Sequence, residues 1–283
     1  MEEIFMLLIS IAVISLLAGM LVCYGCGAFL TNTWLWLMPV SFLGIALGLL
    51  ALGFAGLMVM CKLVDQSVPQ EEDNKFYRIV ANLIIEAAFP VLRIHVKKSG
   101  LEKVPTEGRF LLVCNHCNNS DPIILLKCLR KSQLAFISKR ENSTMFVIGP
   151  MMHKLQCQLI NRENDREALK TILKCIQILK EDKASVGVFP EGGILSEDGK
   201  LHHFRPGVFK IAQKANVPIV VCTLHNTKDV VNNILHFKPS FVEMKVLEVI
   251  PAEALQGVTT VDIAHRCYDL MAADLGPDLI AED

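Results

Sequence analysis

The sequence predicts an α/β domain with a central, mostly buried sheet, preceded by an N-terminal hydrophobic helical hairpin. The first observation is that Ile4–Cys61 contains no Asp, Glu, Lys, Arg or His, although 20% of the 283 residues are charged. The second is that short apolar runs alternate with helical patterns after that stretch, which favours an α/β architecture. We therefore predict a two-helix membrane anchor over 1–61, an amphipathic linker helix over 62–98 and one soluble domain over 99–283.

Composition and charge exclude two classes of protein. Hydrophobic residues make up 52% of the chain, which is too apolar for a disordered protein. The formal net charge is −1, so no overall basic field predicts a nucleic-acid partner. The ten cysteines are scattered through apolar runs rather than arranged as a disulfide framework, which is typical of a reducing compartment.

The uncharged stretch is long enough for two membrane-spanning helices, since each needs about 20 apolar residues. We predict these helices at about Ile4–Tyr24 and Trp34–Cys61, with Trp34 and Trp36 as interfacial anchors. A cleaved signal peptide is one alternative, but the chain opens with Met-Glu-Glu instead of a basic region, and a second apolar segment follows. A re-entrant or interface-lying pair of helices remains the other alternative.

The distribution of Lys and Arg around these helices predicts their orientation. The connecting segment at 25–33 carries neither residue type, whereas Lys62, Lys75 and Arg78 follow the second helix closely. By the positive-inside rule, the soluble domain then faces the cytoplasm. We expect an integral membrane protein with the lipid bilayer as a partner.

The elements of the soluble domain are predicted from their periodicity. A helix over Phe76–Leu92 places Ile79 and Leu83 on an apolar stripe, with Arg78 and Glu86 off it, and such a helix can lie on a bilayer surface. Strands are predicted at Phe110–Cys114, Leu134–Ile137, Val186–Phe189, Ile219–Thr223 and Val242–Val249. Further helices are predicted at Pro122–Arg130, Asn164–Glu181, Val208–Ala215 and Val261–Ala273.

A polar cluster directly follows the first of these strands, and α/β folds place their sites at the carboxyl ends of strands. Within it, His116 and Asp121 can meet across a turn, so that the carboxylate fixes one imidazole nitrogen and leaves the other as a base. The alternative is that Asp121 simply caps the helix that Pro122 opens. Cys114 and Cys117 form a C-x-x-C pair, but no second ligand pair accompanies it, so we predict buried thiols and no metal site.

With the blocks that follow, the sequence resembles the glycerolipid acyltransferase family, which includes lysophosphatidic acid acyltransferase. The family's N-H-x-x-x-x-D is matched by Asn115, His116 and Asp121. Its later blocks are matched in order by Phe136–Glu141, Leu159–Arg162, Phe189–Ile194, Phe204–Lys210 and Val217–Val220. The resemblance covers about 100–250 and implies a glycerol-phosphate-acyltransferase-like fold.

The resemblance also implies a reaction in phospholipid biosynthesis. An acyl thioester, acyl-CoA or acyl carrier protein, donates its chain to lysophosphatidic acid and gives phosphatidic acid, with no further cofactor. His116 would be the general base and Asp121 its orienting carboxylate. The resemblance places Asn115, Lys139, Arg162, Glu191, Gly192 and Gly193 at the substrate, with Arg162 as the first candidate for the acceptor phosphate and the glycine turn as an oxyanion site.

One departure from the family's pattern leaves the acceptor open. The family's third block ends in Thr-Arg, whereas this chain has Gly193 and Ile194, and Ile cannot pair with a phosphate. Either another cation, with Arg205 or Lys210 nearest in sequence, replaces that arginine, or the acceptor is a different lysophospholipid, a polyol phosphate or an uncharged alcohol. A thioesterase side reaction and a non-catalytic lipid- or acyl-carrier-binding protein are further alternatives, the last disfavoured because His116 and Asp121 are both present.

Overall fold

The computed structural model describes residues 2–161, 164–195 and 198–281. The chain divides into two compact units, Met1–Ser67 and Val68–Asp283. The helices are α1 (Glu2–Gly25), α2 (Trp34–Lys62), α3 (Lys75–Val91), α4 (Asp121–Cys128), α5 (Ile148–Lys154), α6 (Asp165–Lys180), α7 (Lys210–Ala215), α8 (Val230–Leu235) and α9 (Thr260–Leu275). The strands are β1 (Ile94–Ser99), β2 (Leu111–Cys114), β3 (Leu134–Lys139), β4 (Gln158–Ile160), β5 (Ser185–Val188), β6 (Ile219–His225) and β7 (Ser240–Ile250).

The first unit is a hairpin of the two apolar helices α1 and α2, close to the predicted bounds. The helices pack together through small residues: a Cβ added at Gly19 would lie 3.1 Å from the Ser41 Oγ. Both are long and apolar enough to cross a membrane, with mean hydropathies of 2.7 over Phe5–Gly25 and 2.4 over Trp34–Lys62. Most of their large apolar side chains are exposed on the outside of the hairpin.

Helix α3 belongs to the second unit and buries Arg78, Ala81 and Phe89. It begins where the Asn74 side chain accepts a hydrogen bond from the Tyr77 N–H. Arg78, predicted to lie off the packing stripe, is buried, because its guanidinium pairs with Asp73 at 2.6 Å and donates to the Leu134 carbonyl. Ile79, on the predicted stripe, is 53% exposed. Leu83, the other residue named on that stripe, is half-buried.

The second unit is built on a seven-stranded sheet in the order β1-β7-β6-β2-β5-β3-β4. All neighbouring strands pair in parallel except β6 and β7, which are antiparallel. The carboxyl ends of β2, β3, β5 and β6 therefore lie along the same edge of the sheet, which we call the carboxyl edge. Strand β2 lies between β5 and β6, near the centre of the sheet. Whatever follows β2 and β5 in the chain is brought together at that edge.

Both faces of the sheet are covered, which makes a three-layer α/β unit. Residues of β2 alternate between the two cores: Leu111 and Val113 pack with α6, α7 and α9, whereas Leu112 and Cys114 pack with α3 and α4. Such burial on both faces explains why the central strands are nearly continuous apolar runs. The predicted α/β class with a mostly buried sheet is confirmed.

The structure adds four elements to those expected from periodicity: β1, β4, α5 and α8. β1 is an edge strand with Lys97 and Lys98 exposed, so its sequence lacks an apolar run. β4 has three residues, and α5 and α8 have seven and six, which is too short for a periodic pattern. The predicted helix start at Asn164 is present, since the Asn164 side chain accepts from the Arg166 and Glu167 N–H groups.

Candidate active site

The loop after β2 is fastened to the neighbouring strand β6 by Asn115. The Asn115 Oδ1 accepts from the Leu224 N–H at 2.8 Å, and its Nδ2 donates to the Leu224 carbonyl at 3.0 Å. The side chain is buried. We expected Asn115 at the substrate, but its amide is engaged with the backbone of β6, which makes it a residue that positions the loop.

The predicted pair meets in this loop, with the His116 Nδ1 lying 2.9 Å from the Asp121 Oδ2. The same carboxylate oxygen accepts from the Cys117 and Asn118 N–H groups, both at 2.8 Å. Asp121 is the first residue of α4, and its bonds run back into the loop rather than forward to the helix. The capping alternative is therefore wrong: Asp121 closes the loop around the imidazole.

The contacts of His116 define the state in which its ring is held. A carboxylate accepts only from an N–H, so Nδ1 carries a proton, and in the neutral imidazole Nε2 then has the lone pair. Nε2 makes no hydrogen bond within the described residues. The ring stacks on Phe189, with centroids 4.0 Å apart, and Phe189 in turn stacks on Phe136. The imidazole is thus fixed in the orientation that a general base needs.

Glu191 connects this loop to the segment that follows β5. Its Oε1 accepts from the His116 N–H at 2.7 Å, and its Oε2 accepts from the His202 N–H at 3.0 Å. Burial raises the pKa of Glu191 to about 7. The hydrogen bonds from the two N–H groups act in the opposite direction, but burial has the larger effect. We expected Glu191 to contact the substrate. It is instead a buried carboxylate whose two oxygens bind backbone N–H groups of the site.

The two glycines after Glu191 differ in what their N–H groups do. The Gly192 N–H donates to the Phe189 carbonyl at 3.0 Å, and Gly192 has a φ of +87°, which closes the turn. The Gly193 N–H has no acceptor in the part of the chain that the structure describes. Of the two expected oxyanion donors, Gly193 alone has an N–H that is not already engaged in this turn.

Comparison with known proteins agrees with this geometry. Residues 95–225, which include the dyad and the Glu191 turn, match the family model described as Acyltransferase. These residues form an acyltransferase-family domain. The domain begins in β1 and ends with β6, so it contains the whole carboxyl edge described above.

Several proteins similar to this chain carry curated names. It is 32% identical over 161 residues to a probable 1-acyl-sn-glycerol-3-phosphate acyltransferase of Mycoplasma pneumoniae, covering 55% of this chain and 57% of the relative. It is 33% identical over 156 residues to the chloroplastic 1-acyl-sn-glycerol-3-phosphate acyltransferase LPAT1 of Arabidopsis thaliana, covering 54% and 42%. The chain thus spans about half the length of these curated relatives.

A solved structure shows the same fold as this chain. The crystal structure of the 1-acyl-sn-glycerophosphate (LPA) acyltransferase PlsC from Thermotoga maritima superposes with a TM-score of 0.57 at 21% identity. The match covers 76% of this chain and 87% of that one. At this identity the likeness establishes the fold.

The remaining site residues expected of an acyltransferase lie as follows. Lys139 is exposed and ends β3, at the same edge of the sheet as the dyad. Arg162, the first candidate for a phosphate contact, lies outside the described residues. Cys114 is buried, and burial raises the pKa of the Cys117 thiol to about 12, so both sulfurs stay protonated at neutral pH. Among the described residues, no cluster of His, Cys, Asp and Glu could hold a metal ion.

Two residues of the site were not singled out from the sequence. Phe189 supports the imidazole by stacking, and Phe136 supports Phe189 from the other side. A Cβ at Gly187 would lie 2.4 Å from the Phe136 ring, so the glycine in β5 leaves the space that this ring occupies. The signal was the glycine inside a strand, since such a glycine often marks a close approach of another group.

The pKa of Glu191 predicts a pH dependence of stability for this acyltransferase domain. Because the pKa is raised from 4.5 to about 7, the folded state binds the proton more tightly than the unfolded state. This contribution to stability is full below about pH 4.5 and is lost as the pH rises to about 7, a difference of about 3 kcal/mol. We expect the melting temperature of the full chain in detergent to fall by roughly 5–10 °C from pH 5 to pH 8 through this group.

The substitution Glu191→Gln tests this expectation, because Gln has no charge to titrate. Its melting temperature should depend less on pH than that of the wild type, whatever its absolute value. The matched control is Glu253→Gln, an exposed glutamate, which should keep the wild-type dependence. Parallel pH curves for Glu191→Gln and the wild type would contradict the assignment.

Proposed function

We propose that this chain is a membrane-anchored O-acyltransferase that moves an acyl chain from an acyl thioester, acyl-CoA or acyl carrier protein, to lysophosphatidic acid and so makes phosphatidic acid. The observation that carries the proposal is the His116–Asp121 dyad with an unengaged Nε2 in an acyltransferase-family domain. The names of the relatives favour this acceptor, since they act on 1-acyl-sn-glycerol 3-phosphate by description.

The geometry supports direct transfer without a covalent acyl-enzyme. The His116 Nε2 takes the proton of the acceptor hydroxyl as its oxygen attacks the thioester carbonyl carbon, and a C–O bond forms. The resulting imidazolium is stabilised by the Asp121 carboxylate. When the tetrahedral intermediate collapses, the C–S bond breaks and the thiolate receives the proton back from Nε2. The products are an ester and a free thiol, and the enzyme regains its starting state.

The tetrahedral intermediate places a negative charge on the former carbonyl oxygen. We assign its stabilisation to the Gly193 N–H, which lies two residues after the carboxylate that binds the His116 N–H. Backbone N–H donors positioned at such an oxyanion contribute substantially to catalysis. Cys114 and Cys117 have no part in the step, because a thiol with a raised pKa is a poor nucleophile.

An assay of the full chain in detergent tests the proposal. Two donors are compared, acyl-CoA and acylated acyl carrier protein, each with a radiolabelled acyl chain. Each donor is mixed with lysophosphatidic acid, and the phosphatidic acid formed is separated and counted. We expect transfer to lysophosphatidic acid to exceed hydrolysis of the thioester. Hydrolysis alone would indicate a thioesterase, and binding without turnover would indicate a lipid- or acyl-carrier-binding protein.

A second acceptor class has one specific observation in its favour. Ile194 follows the glycine turn where the family's pattern has an arginine, so one anion contact is missing from this segment. The acceptor panel therefore includes other lysophospholipids, a polyol phosphate and an uncharged monoacylglycerol. Arg162 and Lys139 remain our proposed phosphate contacts, and preference for the uncharged acceptor would remove that role from both.

We also propose that the hairpin crosses the bilayer with both of its ends in the cytoplasm. The segment between α1 and α2 has no Lys or Arg, whereas Lys62 ends α2 and further cations follow. A thiol reagent that cannot cross membranes should label a cysteine introduced at Asn32 in sealed cells, in a cysteine-free background, and spare one at Glu102. The reverse labelling would contradict this orientation, and protection of both positions would indicate a re-entrant pair.

A further inference from the structure

The side chain of Arg205 lies directly over the glycine turn of the candidate site. A Cβ added at Gly192 would lie 2.6 Å from the Arg205 Nε and 2.9 Å from its Cδ. A side chain at position 192 would therefore displace the guanidinium from this place. Gly192 thus does two things: it adopts the positive φ of the turn, and it leaves the surface on which Arg205 rests.

The backbone that carries Arg205 is firmly held. The Arg205 N–H donates to the Pro190 carbonyl at 2.8 Å, so the residue is bonded to the same turn that its side chain covers. The preceding ring, Phe204, packs against Phe209 and Tyr268. The backbone that carries this cation is therefore ordered before any ligand binds, and only the Arg205 side chain has to be fixed.

The guanidinium itself is exposed and has no counter-charge. Arg205 forms no ion pair or side-chain hydrogen bond among the residues that the structure describes. The turn beneath it contains Glu191, but both oxygens of that carboxylate are occupied by the N–H groups of His116 and His202. An unpaired guanidinium over the Gly192 turn is chemically suited to a phosphate, which it can bind in a bidentate manner.

We propose that Arg205 binds the phosphate of the acceptor and supplies the anion contact that Ile194 cannot. This inference rests on the proposed function, because it concerns the acceptor of that reaction. The sequence alone left Arg205 and Lys210 as equal candidates; the contact with Gly192 decides for Arg205. Selectivity for a phosphate-bearing acceptor then comes from Arg205, which follows the Gly192 turn in the chain and lies over it.

The experiment compares Arg205→Met, which keeps the alkyl stem over Gly192 and removes the charge, with Arg205→Lys, which keeps a charge. We expect Arg205→Met to lower kcat/KM for lysophosphatidic acid by roughly 10- to 100-fold, mainly through KM, and Arg205→Lys to lose less. Turnover of an uncharged monoacylglycerol and KM for the thioester should be unchanged within error. The matched control is Lys210→Met, which should behave as the wild type.

A binding measurement separates this inference from the proposed function. In calorimetry with sn-glycerol 3-phosphate and the full chain in detergent, Arg205→Met should weaken Kd by the same factor, whether or not the wild type turns over any acceptor. If the wild type acylates none of the panel, the proposed function is overturned while this measurement still decides on Arg205. Equal losses on charged and uncharged acceptors, or an unchanged Kd, would overturn the phosphate contact.

Discussion

The substitution His116→Ala should reduce acyl transfer by roughly 10²- to 10⁴-fold, the usual loss when a positioned general base is removed. The reason is specific to the geometry: Nε2 is the imidazole nitrogen left with a lone pair once Nδ1–H is bonded to Asp121. The measurement is single-turnover transfer from labelled acyl-CoA by the full chain in detergent. Thioester binding should be retained, because the acyl donor does not depend on that nitrogen.

Two further variants make this result decisive. His116→Phe keeps an aromatic ring next to Phe189 but has no nitrogen, so it should be as inactive as His116→Ala even if it is more stable. His236→Ala removes an exposed histidine at the end of α8 and should leave activity unchanged. A folded His116→Phe with near wild-type turnover would falsify the role of the imidazole as the base.

The substitution Asp121→Asn should reduce turnover by roughly 10³- to 10⁴-fold although it changes few atoms. The carboxylate accepts three N–H groups at one oxygen and is completely buried. An amide can donate to Nδ1 instead of accepting from it, and the imidazole proton then moves to Nε2. A base that is already protonated cannot take the acceptor's proton.

Nitrogen-15 chemical shifts of the His116 ring in labelled protein report the tautomer directly. Asp121→Asn should shift the proton from Nδ1 to Nε2, a change that a merely structural role of Asp121 would not produce. The double variant His116→Ala/Asp121→Asn should lose no more activity than the worse single variant, because the two side chains act as one unit. Additive losses, or an unchanged tautomer, would show that Asp121 serves only to close the loop.

The sequence predicted those parts of the site that are close together in the chain. His116 and Asp121 are five residues apart, and the strand before them and the helix after them have clear patterns, so their meeting follows from local geometry. The contact between Glu191 and His116 joins residues 75 apart in sequence. Nothing in either segment indicates that a carboxylate oxygen accepts that backbone N–H, and only the neighbouring positions of β2 and β5 explain it.

Helix α3 shows that apolar periodicity alone does not predict which side chains of a helix are buried. Its periodicity was clear, but the residues that it buries, Arg78, Ala81 and Phe89, do not belong to the predicted apolar stripe. A buried arginine is satisfied only by partners such as Asp73 and the Leu134 carbonyl, and no periodicity reveals such partners. An apolar pattern alone does not distinguish a side chain that faces lipid from one that faces the protein interior.

The place of β1 in the sheet has a consequence for how this protein is made. Within the residues that the structure describes, β1 pairs with β7 alone, from Ile94 opposite Ser240 to Ser99 opposite Lys245. During synthesis, the first strand to leave the ribosome therefore stays unpaired until the last of the seven strands is made, and its N–H and C=O groups are open to other chains. The charges of Lys97 and Lys98 disfavour pairing of β1 with the strands of other chains. A chain truncated before Ser240 lacks β7, so its β1 should remain unpaired.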